Sequence, residues 1–81
     1  LSEFPGRQAS ESEEARMDLI QFLKIMEMEE RAAYAKYQWA MDQTDNEDLI
    51  AIFERLRDEE AVHADYLQYE RAKLEKLLAD E

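Results

Sequence analysis

The chain has 81 residues, 21 of them acidic and 10 basic, for a net charge of −11. That length allows one small domain with little core of its own. The acidic balance speaks against nucleic acid and anionic membranes as partners, since both need a basic footprint. The absence of cysteine excludes disulfides and thiolate metal sites.

Residues 1–9 (LSEFPGRQA) hold the only proline and glycine. They are expected to form a disordered or docking tail, in which Phe4 is a lone aromatic. Ser10 with Glu13 fits a capping box, and a breaker-free helical pattern covers about 11–41. The polar break at 42–45 is too short for anything but an antiparallel turn. A second capping box, from Thr44 to Glu47, opens a helix over about 46–79. Outside the tail the composition favours helix and argues against sheet. The expected fold is all-α, an antiparallel two-helix hairpin filling residues 10–81.

Both helices carry a four-three apolar rhythm interrupted by ionisable groups. In the first it runs Leu19, Leu23, Met26, Glu30, Ala33, Tyr37 and Ala40. In the second it runs Leu49, Phe53, Leu56, Glu60, His63, Leu67, Glu70, Leu74 and Leu77. Further apolar residues widen each stripe: Ile20, Phe22, Tyr34 and Met41 in the first helix, Ile52 and Tyr66 in the second. A hairpin cannot bury stripes that wide alone. The economical expectation is a homodimer or higher homo-oligomer built on a twofold four-helix bundle.

Glu30, Glu60 and His63 stand where such a seam should be apolar. Burying an unpaired carboxylate costs on the order of several kcal/mol unless it is protonated, hydrogen-bonded or bound to a metal. Glu60 and His63 are three apart and share one helix face. Glu30 and Glu60 lie at similar heights across the turn, within roughly 3 Å at helical rise. A twofold copy supplies four carboxylates and two imidazoles, the donor set of a carboxylate di-iron bundle. Taken singly the Glu-x-x-His spacing is weak: with 21 carboxylates in 81 residues, one falls three before the lone histidine about a quarter of the time. Its placement on the seam carries the reading. Glu27 and Glu59 flank the set as further metal candidates, with surface charge the plainer account of both. Tyr37 is a candidate hydrogen-bonder behind the ligands. Glu70 reads as a solvated residue beyond the site. The plain alternative for His63 is a seam histidine hydrogen-bonded to a tyrosine.

The stretch Glu30-Arg31-Ala32-Ala33-Tyr34-Ala35-Lys36-Tyr37, with Ile50-Ala51-Ile52-Phe53-Glu54 and Asp58-Glu59-Glu60-Ala61-Val62-His63-Ala64, resembles one half of a rubrerythrin. A single hairpin with one such half-site is similar to the encapsulated ferritins of the ferritin-like superfamily. The resemblance covers about residues 17–70. It implies Glu30 as a terminal carboxylate ligand, Glu60 as the bridging ligand and His63 as the terminal imidazole. It further implies a ferroxidase that oxidises Fe(II) with dioxygen at a di-iron site between two subunits, for iron storage and detoxification. The cofactor expectation is iron, two per dimer interface, although Mn, Zn or Ca could occupy the same ligands in a crystal. The partner implied is an encapsulin shell, and the expected location is the cytoplasm or the interior of that shell. The chain departs from rubrerythrins in lacking a Cys-rich electron-transfer domain, and from encapsulated ferritins in showing no shell-targeting peptide before Glu81. Two rival expectations stand beside this one: a rubrerythrin-like di-iron peroxide or oxygen reductase, and a metal-free structural hairpin.

Overall fold

A computed structural model describes residues 12–80. The expected tail lies outside the described residues, and the cap of the first helix is Ser12 rather than the expected Ser10. Two helices make up the fold, α1 (Glu13–Asp42, 30 residues) and α2 (Glu47–Ala79, 33 residues). No strand occurs among the described residues, and neither helix is long and apolar enough to cross a membrane.

Local chemistry sets the ends. Ser12 caps α1 by accepting from the Ala15 amide at 3.0 Å, with Glu13 and Glu14 in the first turn complementing the helix dipole. At the other end Gln43 N–H donates to the Ala40 carbonyl. The second cap falls on Asn46 rather than on the expected Thr44. Its side-chain oxygen accepts from both Asp48 and Leu49 amides, at 3.0 and 3.1 Å. Thr44 instead accepts from the Asn46 amide at 3.0 Å and tightens the turn. Asparagine wins because one carbonyl oxygen takes two orphan amides at once.

Cross-helix contacts descend along α1 as they ascend α2. Gln38 meets Arg57, Arg31 meets Gln68, Glu27 meets Arg71 and Lys24 meets Glu75. The hairpin is antiparallel, as the short turn requires.

The seam of α2 differs from the expected one at four of nine positions. The less exposed residues are Ile50, Phe53, Leu56, Arg57, Glu60, Ala61, Ala64, Leu67, Arg71, Leu74, Glu75 and Leu78. Phe53, Leu56, Glu60, Leu67 and Leu74 are shared with the expected line, but Leu49, His63, Glu70 and Leu77 are exposed and yield to the residues one step later. Ala64 is wholly buried, with only a methyl to place in the interface. Ile20 is the other buried apolar residue among those described. A hairpin has one interface, so its core is thin.

The two sides of that interface differ. Helical periodicity puts Leu19, Phe22, Met26 and Ala33 of α1 on the same side as Leu49, Ile52, Leu56 and His63 of α2. Phe22 remains 55% and Ile52 54% exposed there. The opposite side carries the cross-helix polar pairs, with Lys24, Arg31 and Gln38 facing Arg57, Asp65, Gln68 and Glu75, and exposes Met28 beside them.

Candidate metal centre

Glu30 projects from the middle of α1, and Glu60 and His63 project one turn apart from α2. His63 Nδ1 lies 2.9 Å from Glu30 Oε1 and 3.1 Å from Glu60 Oε1. One ligating atom from each residue falls within 4.8 Å of the others. Atoms bound at about 2.0–2.2 Å to one ion are at most about 4.4 Å apart, so the three could hold a single cation after a small side-chain adjustment. Two carboxylates converge from different helices because the antiparallel register brings Glu30 level with Glu60, the height match read from the turn.

The electrostatics agree. Glu30 and Glu60 are mostly covered, at 21% and 19% side-chain exposure, whereas His63 is 56% exposed. The imidazole therefore closes the cluster from the apolar side of the hairpin instead of lying in its seam. Hydrogen bonding to Glu30 and then to Glu60 raises the His63 pKa above its ordinary value, against a smaller opposing effect of desolvation. A proton on Nδ1 thus holds the place that a divalent cation could take.

The flanking candidates are engaged elsewhere. Glu27 accepts from Arg71 Nε at 3.0 Å through one oxygen, and its other oxygen lies 3.8 Å from Arg31. Glu59 pairs with Arg55 at 3.4 Å on the exposed surface of α2. Tyr37 stacks on Phe53, ring centroids 6.2 Å apart. Glu70 is half-exposed and pairs with Lys73, as a solvated position should.

Sequence reasoning missed Arg71 and Arg57. Arg57 donates to Gln38 at 2.7 Å, pairs with Asp58 at 2.9 Å and covers the Tyr34 ring at 5.6 Å. The signal was available in the strict seven-residue line Ile50, Arg57, Ala64, Arg71 and Leu78. Arginine stems cover apolar surface while their heads reach polar partners, so arginine on a seam line is a cross-helix clasp. No family model, curated protein or solved structure matches the chain.

Proposed function

We propose that the chain is a homodimeric ferroxidase that binds Fe(II) as substrate between two hairpins and passes its electrons to dioxygen. The observation that carries this reading is the convergence of Glu30, Glu60 and His63 atoms within 4.8 Å on the side of the hairpin edged by exposed Phe22 and Ile52. A twofold partner laid on that side covers the apolar residues and brings a second set of ligands to the first. Four carboxylates then offset the charge of two divalent ions, which removes the main cost of burying them.

Each residue has a stated task. Glu30 and Glu60 supply hard oxygen donors from opposite helices, and His63 supplies Nδ1 once its proton has left. Two ferrous ions yield one electron each, and one dioxygen takes both with two protons and departs as hydrogen peroxide. The protein positions the ions and balances their charge. An encapsulin shell as partner rests on the sequence resemblance alone.

Anaerobic Fe(II) titration followed by oxygen tests the reading. The expected result is a break at two irons per dimer and prompt oxidation, lost in Glu30→Ala, Glu60→Ala and His63→Ala. Unchanged oxidation in all three variants would falsify it. Steady peroxide turnover with an added electron donor and no ferric product would point instead to a reductase.

A further inference from the structure

Glu27 lies one helical turn before Glu30, close enough for a carboxylate to join the same cluster. It is also among the least exposed of the described acids, at 15%. Position alone would make it a ligand. Its hydrogen bonds take it elsewhere: Glu27 Oε2 accepts from Arg71 Nε at 3.0 Å, and Oε1 lies 3.8 Å from Arg31. The same Arg71 donates through its terminal nitrogen to Glu75 at 2.9 Å, and Glu75 in turn lies 3.9 Å from Lys24. The chain Glu27–Arg71–Glu75–Lys24 alternates in sign and is neutral as a whole. It leads the Glu27 carboxylate towards the polar side of the hairpin, away from His63.

We infer that Arg71 sets the capacity of the metal site by withholding Glu27 from it. The inference rests on the ferroxidase reading above and deepens it. A dimer with Glu30 and Glu60 alone presents four carboxylates, enough to balance two divalent ions. Freeing Glu27 in both copies would raise this to six and leave two negative charges uncompensated, an excess that attracts further cation. The guanidinium suits this task because it is always charged and its fork holds two acids at once. Arg71 is a positioning residue. It touches neither the cluster nor its substrate and acts through Glu27.

The test uses Mn(II), a divalent probe that does not oxidise under the assay, in calorimetric titrations of the full chain. Native protein and Glu27→Gln should bind Mn(II) with the same stoichiometry. Arg71→Met should bind additional Mn(II), and the excess should vanish in the Arg71→Met/Glu27→Gln double variant. Arg71→Lys, which keeps a cation on Glu27, should restore the native count, an outcome that a purely structural role for Arg71 would not give. Circular dichroism of each variant reports whether the hairpin has formed, and Arg71→Gln, which also removes the cation, carries the test where Arg71→Met does not fold. Loss of Mn(II) in Glu27→Gln would make Glu27 a ligand and overturn the inference, as would a native count in a folded Arg71→Met. Either leaves the ferroxidase reading standing. Failure of the native chain to bind Mn(II) at Glu30, Glu60 and His63 would remove that reading and this inference together.

Discussion

At the scale of single residues, one nitrogen of His63 serves two carboxylates. Because folding raises the His63 pKa, the metal-free cluster gains stability from a proton that the unfolded chain holds less tightly. That contribution is fully present below the ordinary histidine value near 6.5 and disappears as pH rises through the higher folded value. Thermal melts in chelator should show native protein more stable than His63→Gln at acid pH, with the gap closing as pH increases through neutrality. A gap that widens with pH would contradict the pairing. Metal affinity should move the other way and strengthen with pH, since the proton must leave Nδ1 before a cation can bind. The trio itself was legible in the sequence, because each member breaks an apolar rhythm. Its detailed disposition was not. His63 sits on the flank of α2 rather than in the hairpin seam, and periodicity cannot separate neighbouring heptad lines when both carry apolar and charged residues.

At the scale of the helices, the hairpin followed from a breaker-free run on either side of a short polar turn. The caps shifted by two residues, from Thr44 to Asn46, because several polar side chains compete for the same orphan amides. The seam is where the sequence misled most. The sequence reading passed over the arginines at 57 and 71, yet both are less than one-fifth exposed and clasp α1 through Gln38 and Glu27. Ala64, at 0% exposure, is fully enclosed between the helices. Ala64→Leu should therefore wedge them apart, at a cost of about 1–3 kcal/mol. Chemical denaturation followed by circular dichroism measures it; a cost near zero would mean that the helices do not pack through this position.

At the scale of the whole molecule, the two sides of the hairpin have different chemistry, and the difference orients the proposed assembly. The polar side satisfies itself with cross-helix pairs such as Arg31 with Asp65 and Gln68. The other side leaves Phe22, Leu49 and Ile52 exposed and carries the exposed imidazole of the Glu/Glu/His cluster. With a net charge of −11 per chain, two copies repel one another, so apolar burial and shared cations must overcome that repulsion. Association and metal binding should accordingly be linked. Native mass spectrometry of the chain with and without Zn(II) tests this most directly. The account predicts a dimer carrying two ions, which loses both ions and falls to monomer on chelation and does not form in His63→Ala. A chain that stays monomeric and ion-free in Zn(II), or a dimer indifferent to both the ion and His63, would contradict it.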